Sequence, residues 1–488
     1  MELPYGLPIP QEEWERTPIS IQAVVILLWQ ENQTLVEQVH NLQQQMGKIQ
    51  GDLDKLNERV NKNSQNSSKP PSSDPPKRRV YPKPEPSEQK KGGQRKHPGN
   101  GRKLISVKQV SRLVKSIPTV CKDCGALLLG EDAKPERPQV CELPKIEPEI
   151  VEYQRHTLNC VVCGAKNRAE LPNYMPRGSF GERLQALIGY LSGRFGISQR
   201  DMNELLETVF QVEISLGSIP AQQQNVSQAL QPPVEEARAY VQKQAAVNVD
   251  ETGWHQLAED FWLWVGATPE VTIFRIFKNR SGSGAETLLG KDFSGIVGSD
   301  RYSAYSWIDP THRQLCWAHL KRDFQALVER GGESQIIGQM LLARLKQFYG
   351  FWHRFRKGSL TRADFQVVMQ PIRQEVTDLL EIGTLLGHRE TRHTCKNILK
   401  VKQALWTFVD QEGIEPTNNV AERALRRGVI WRKRSFGTQS ENGSLFVERI
   451  LTAVMTLRQQ ERNVLDFLTE ACKANLLGIT VPSLLPGE

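Results

Sequence analysis

The chain has 488 residues, 39% hydrophobic and 24% charged, with a formal net charge of +8 and a pI near 9.0. That length exceeds one ordinary core, so several domains of roughly 100 to 200 residues are expected, and the balance excludes a wholly disordered or fibrous chain. The longest apolar run, Ala23 to Trp29, is too short to span a bilayer. The start, MELPYGLPIPQEEWER, lacks a basic n-region, an apolar h-region and a small-residue cleavage site, so a cytoplasmic protein is expected.

Eight cysteines are too sparse for a disulfide scaffold. Four form two C-x-x-C pairs, which in a cytoplasmic protein favour metal. Cys141, Cys316, Cys395 and Cys472 stand alone and read as small buried or surface thiols.

After an N-terminal segment (1–20), residues 21–62 carry a heptad seam: Ile21, Val25, Leu28, Leu35, Val39, Leu42, Met46, Ile49, Leu53, Leu56 and Val60. Asn32 is the polar residue at an a position and Leu fills most d positions, a combination that favours a parallel two-stranded coiled coil. One amphipathic helix folded back on its own chain is the alternative. Residues 63–105 form a Pro-, Ser-, Gly- and Lys-rich linker. Between Lys69 and Lys103 it holds 11 basic and 3 acidic residues, a net +8 equal to that of the whole chain. It reads either as a solvated tether or as a basic arm gripping DNA phosphates through counterion release.

Residues 106–175 contain CKDCG and CVVCG, so Cys121, Cys124, Cys160 and Cys163 are the candidate Zn²⁺ ligands of a ribbon. The alternative is four reduced, unligated thiols. The alternating stretch Ile150 to Leu158 reads as a strand leading into the second pair. Residues 176–243 read as helices with helix-turn-helix-like spacing, Ser198 and Ser218 as N-caps, and Gln222, Gln223, Gln224 and Asn225 as amides able to read base edges. A three-helix packing unit would look the same.

From residue 244 to 330 the texture turns to short strands: AAVNVDETGW, FWLWVGAT and VTIFRIF, a helical AETLLGKDF, then GIVGSDRYSAY and RQLCWAHLKRDF. Three strands, a helix and a parallel strand open a ribonuclease H-like α/β core. Asp250 and Asp300 end the first and fourth strands, neighbours in that fold, so their carboxylates meet at one sheet edge. Residues 331–410 read as an all-helical insertion whose aromatics, Phe348, Tyr349, Phe351, Trp352 and Phe355, serve packing or DNA. The core resumes at 411–440 with a helix capped by Asn418 or its neighbour and carrying Glu422 in its first turns. Arg423, Arg426, Arg427, Arg432, Lys433 and Arg434 follow Glu422, either to bind phosphates or as a solvated face. Arg423 and Arg426 also leave an ion-pair reading of Glu422 open. His319 stands at a strand-to-helix junction, where it contacts DNA or is structural. Residues 441–488 read as a C-terminal helical region.

These residues resemble the transposases of the IS66 insertion-sequence type, over nearly the whole chain. The likeness rests on NSSKPPSSD, the paired CxxCG, VDETGW, SDRYSAY, CWAHLKRDF, and NNVAERALR followed by WRKRSFGTQSENGS. Thr417 departs from the pattern, since members often carry an acidic residue before the Asn pair. The resemblance implies an Asp-Asp-Glu triad at Asp250, Asp300 and Glu422 holding Mg²⁺ (or Mn²⁺), a structural Zn²⁺, and accessory proteins encoded by the same element. Two hard ions held by carboxylates activate an attacking oxygen and stabilise a leaving one. The implied protein is a DNA transposase on the bacterial nucleoid, acting as a homodimer or higher synaptic complex on double-stranded element ends and target DNA. It cuts and transfers strands. A non-catalytic DNA-binding regulator or domesticated relative is the rival, and a nuclease or resolvase without strand transfer a third.

Overall fold

The computed structural model describes residues 2–67, 103–172, 175 and 178–487, which fall into two compact units. The first gathers 1–76, 234–439 and 484–488, and the second 77–233 and 440–483. Most of the basic linker expected at 63–105 lies outside the described residues.

The first unit begins with α1 (Gln11–Arg16) and α2 (Ile19–Asn61). Gln22 joins them: its buried amide donates to the carbonyls of Trp14 (2.7 Å) and Thr17 (3.1 Å), over the buried Trp14 ring. Helix α2 runs 43 residues without a break, and its d residues Ile21, Leu28, Leu35, Leu42, Ile49 and Leu56 are all exposed.

In the second unit each C-x-x-C-G folds as its own knuckle. Cys121 N–H donates to Ala126 and Gly125 N–H back to Cys121, and Cys160, Ala165 and Gly164 repeat the pattern. Gly125 (φ 73°) and Gly164 (φ 71°) take the left-handed turn that a side chain would oppose. Strands β1 (Thr157–Asn159) and β2 (Lys166–Arg168) flank the second knuckle as an antiparallel pair. The strand expected from Ile150 is confined to these last residues, because Ile150 and Val151 are exposed and pair with no strand among the described residues. Helices α3 (Glu182–Tyr190), α4 (Gln199–Phe210) and α5 (Ser218–Ala229) follow. Ser198 Oγ caps α4 by accepting from Asp201 N at 3.1 Å, as its sequence predicts. At α5 the accepting hydroxyl belongs to Ser215 (3.2 Å to Ser218 N), and Ser218 is the first helical residue instead of the cap.

Helix α6 (Gln231–Val241) leads into a five-stranded sheet of β3 (Ala246–Gln256), β4 (Glu259–Ala267), β5 (Thr272–Phe277), β6 (Ile296–Ser299) and β7 (Arg313–Leu315). The order is β5-β4-β3-β6-β7, antiparallel across the first three strands and parallel from β3 onward. Helix α7 (Gly282–Leu289) makes the crossover to β6. Turns of two residues (257–258) and four residues (268–271) suffice for the meander, but the parallel return needs this longer connection.

Beyond β7 come α8 (Trp317–Glu329), α9 (Gly332–Arg356), α10 (Arg362–Gly383), α11 (Arg389–Leu399), α12 (Thr407–Asp410) and α13 (Asn419–Ser435). Aromatics of this stretch pack on one another: Trp317, Phe348, Trp352, Phe365, Trp406 and Phe408 share one core, with Trp317 and Trp406 centroids 4.7 Å apart. The base of the helical excursion is clasped to the sheet. Leu405 O accepts from Trp317 Nε1 (2.8 Å) and Gln314 Nε2 (3.2 Å), Thr407 Oγ1 donates to Arg313 O (2.6 Å), and Trp317 N–H donates to Pro416 O (2.9 Å). The far end of α2 is tied to the end of α8 by Arg330–Glu58 at 2.6 Å.

Helices α14 (Glu441–Gln459) and α15 (Val464–Leu477) return to the second unit, packing with α3 and α5. Buried Arg449 donates to Ser227 O at 3.1 Å. Enclosed by α3, α4, α14 and α15, α5 turns its amides inward: Gln222 is buried and Gln223 Nε2 donates to Ser192 Oγ at 2.9 Å. The polar face expected to read bases is largely spent on packing.

Candidate active site

The parallel pairing of β3 and β6 ends at Asn248↔Gly298, and Asp250 and Asp300 each stand two residues beyond it. Asp300 closes β6 as the sequence suggests. Asp250 does not close β3, whose antiparallel pairing with β4 continues through Gln256. It marks instead the point where β3 leaves β6 and opens a notch. Asp300 Oδ1 accepts from Tyr302 N (2.9 Å) and Asp250 Oδ1 from Glu251 N (3.0 Å), so backbone turns orient both carboxylates.

Helix α13 brings the third acid. It lies on β3 and β4, and a Cβ at Gly428 would collide with Leu263 Cδ2 at 2.1 Å. Glycine admits this approach without displacing the buried Leu263 side chain. Asn418 holds the N-cap position, but its Oδ1 accepts no hydrogen bond from its own helix, and its Nδ2 donates instead to Val249 O (3.0 Å), pinning the start of α13 beside Asp250. At the other end Arg432 Nη1 donates to Gly253 O and Thr252 Oγ1. Glu422, one turn into α13, therefore faces the aspartates. Burial first, then the charges of Glu251, Asp300 and Glu422, hold the Asp250 carboxyl well above the usual carboxylate range.

Glu422 also has partners from α8. Its Oε1 lies 3.5 Å from His319 Nδ1 and 3.6 Å from Arg322 Nη2. Both Oε1 and Nδ1 are buried and make no hydrogen bond. The ion-pair partners expected from the sequence, Arg423 and Arg426, are exposed, while the charged groups near Glu422 come from α8. Burial, and next to it the Arg322 charge, lower the His319 pKa, which favours a neutral ring. Cys316 adds a third donor: Cys316, His319 and Glu422 offer ligand atoms all within 4.8 Å of one another.

Glu251 was not singled out by its sequence, yet its side chain is 1% exposed and fully engaged. It accepts from Arg280 Nε (2.9 Å) and from Tyr305 Oη. Arg280 is stacked between Tyr302 (3.9 Å to the centroid) and Trp262 (4.7 Å). This network links the DETGW and SDRYSAY segments behind the notch. The signal was the second acid of VDETGW together with Tyr305 of SDRYSAY, but Arg280 has no motif around it.

Of the six basic residues after Glu422, Arg423, Arg426, Lys433 and Arg434 are exposed and Arg427 half-buried, whereas Arg432 is turned onto β3. In the knuckles, Cys121 is drawn to lower pKa by hydrogen bonds from the Cys124 and Asp123 backbone, and Cys160 by those of Cys163 and Val162. The four sulfurs are not gathered: among the described residues the one cluster of three or more possible metal ligands is Cys316–His319–Glu422. No helix among those residues is long and apolar enough to cross a membrane.

Comparison with known proteins places this site in a family. The chain is 27% identical over 243 residues to the uncharacterized protein y4qI of Sinorhizobium fredii (strain NBRC 101917 / NGR234), covering 43% of this chain and 42% of that protein. It is 23% identical over 383 residues to the uncharacterized protein y4hP of the same strain, covering 71% and 69%. Residues 18–103 match a family of unknown function (DUF6444). Residues 177–445, more than half of the chain and all of the sheet and α13, match the Transposase IS66 family, and the chain belongs to that family.

Proposed function

We propose that this chain is a DNA transposase of the Asp-Asp-Glu type with a ribonuclease H-like core, cutting and joining DNA strands at the β3–β6 notch. The observation that carries this reading is the electrostatic setting of Asp250, whose carboxyl is raised first by burial and then by the charges of Glu251, Asp300 and Glu422, the last two from other elements. A buried Asp250 that no cation balances, with two further carboxylates acting on it, fits divalent cations, since hard ions take oxygen ligands and cancel the repulsion. Asp250, Asp300 and Glu422 would hold Mg²⁺ or Mn²⁺, which when bound would supply activation of the attacking oxygen and charge stabilisation of the departing one. The residues themselves do the positioning. Asn418 and the Gly428 contact fix α13, and the exposed Arg423, Arg426, Lys433 and Arg434 meet DNA phosphates.

Two further parts complete the proposal. The exposed α2 seam pairs with α2 of a second copy, and the two Cys knuckles close together on one structural Zn²⁺.

The test is strand cleavage and strand transfer with Mg²⁺ or Mn²⁺ on duplex DNA carrying the element's terminal repeats. Asp250→Asn is expected to abolish both while DNA binding persists. Unchanged cleavage in that variant would sink the assignment.

A further inference from the structure

Beside the carboxylate notch lies a donor set of different chemistry. Cys316 sits at the start of α8, His319 one turn on, and Glu422 reaches them from α13, with ligand atoms all within 4.8 Å. Two of these atoms, His319 Nδ1 and Glu422 Oε1, are buried, make no hydrogen bond, and stand 3.5 Å apart. Orphaned buried polar atoms are rare, and each needs an explanation such as an ion. We propose that Cys316 Sγ, His319 Nδ1 and Glu422 Oε1 form a site for a borderline-soft ion of the Zn²⁺ class, and that its occupation withdraws Glu422 from the hard-ion site.

The donors select the ion. Sulfur, imidazole nitrogen and one carboxylate suit Zn²⁺, whereas Mg²⁺ takes oxygen. With metal–ligand bonds of about 2.0 to 2.3 Å, neighbouring donors on a tetrahedral ion are roughly 3.3 to 3.8 Å apart. The His319–Glu422 pair already has that spacing, and Cys316 Sγ, within 4.8 Å of both, must draw closer to join. Asn418 N–H, 3.4 Å from Cys316 Sγ, steadies the sulfur as it becomes a thiolate. Binding forms metal–S, metal–N and metal–O bonds. It breaks the Cys316 S–H bond, whose proton passes to solvent, and leaves the fourth position to water. Arg322 Nη2 must release Glu422, while its Nε and Nη1 stay held by Ala318 O (3.4 Å) and Ser67 O (3.5 Å).

The site itself stands apart from the transposase reading, but its effect on activity rests on that reading. The experiment therefore has two readouts. Metal-stripped full-length protein is titrated with Zn²⁺ alone against a chromophoric chelator, and with Co²⁺ alone for the sulfur-to-cobalt absorption band. Wild type, Cys316→Ser, His319→Asn and Asp250→Asn are compared. Any ion on the Cys121 and Cys160 knuckles is common to all four. Cys316→Ser and His319→Asn are each expected to lose one zinc equivalent, or to weaken it by at least about 10-fold, with a smaller cobalt band in Cys316→Ser, while Asp250→Asn keeps the equivalent. Should buried Cys316→Ser not fold, His319→Asn decides. Equal zinc equivalents and affinities in His319→Asn and wild type would overturn the site. In the second readout Zn²⁺ inhibits Mg²⁺-supported cleavage, at a midpoint raised about 10-fold or more in His319→Asn. A protein that loses the zinc equivalent on mutation yet cleaves no DNA with any ion would refute the transposase reading and leave the site standing.

Discussion

On the notch face of β3, the buried Asp250 carboxylate feels the charges of Asp300 and Glu422. On the opposite face the next residue, Glu251, accepts from Arg280 and Tyr305 in the interior. Both acids are raised in pKa by burial first, but only for Glu251 do a cation and a hydroxyl pull back. Adjacent residues of one strand thus separate two uses of a buried carboxylate. The compensated one holds the fold, and the uncompensated one stores repulsion that a bound cation would relieve.

Mutation should split the pair. The largest effect expected is on activity: Asp250→Asn lowers strand cleavage by at least about 10³-fold without lowering the melting temperature, and comparable loss in Glu251→Gln and Asp250→Asn would erase the distinction. Next comes stability. Glu251→Ala leaves Arg280 facing a buried gap and should cost about 2 kcal/mol, less than the roughly 3 to 5 kcal/mol of a fully buried broken pair because Arg280 is partly exposed and can turn to solvent. Calorimetry should show its melting temperature falling by about 4 to 8 °C. A smaller effect follows from pH. Asp250 is protonated in the folded state at pH values where the unfolded chain is already ionised, so the metal-free protein loses stability as pH rises above the ordinary carboxylate range of about 4. The loss ends once folded Asp250 also ionises. Asp250→Asn should flatten this decline, and Mg²⁺ should raise the wild-type melting temperature above it, both readable by thermal scans across pH. Smallest is Arg432→Ala, which removes a half-buried brace between α13 and β3 and should cost about 1 kcal/mol in denaturant unfolding.

Local pattern made much of this legible. Period-2 runs bounded by turns place β3 to β6, and three strands, a helix and a strand in that order match the β5-β4-β3-β6 arrangement expected of a ribonuclease H-like opening. Asp300, at the end of a short strand, was readable for the same reason. Asp250 was misplaced at a strand end because β3 outlasts its parallel partner, and one strand's pattern does not show where a neighbour stops. The surroundings of Glu422 were legible only in part. Helix spacing nominated Arg423 and Arg426, but the groups that face it come from His319 and Arg322, more than ninety positions away in the chain. Cys316 read as an isolated thiol, although Cys316-x-x-His319 at a helix start is a chelating spacing once Glu422 is folded against it. The helix-turn-helix-like reading missed the inward amides of α5 because α14 and α15, which cover it, lie far off at the C-terminal end.

The clasp at the foot of α9 to α12 has a consequence for how such a chain can change. Trp317, Gln314 and Arg313 grip Leu405, Thr407 and Pro416 directly, so the path from the second aspartate to Glu422 is short-circuited at its base. Loop closure varies only weakly with the length of chain enclosed. Length changes in the connections among residues 332 to 399 therefore need not move Glu422, provided the helices still fill the core that Phe348, Trp352 and Phe365 share with Trp317 and Trp406.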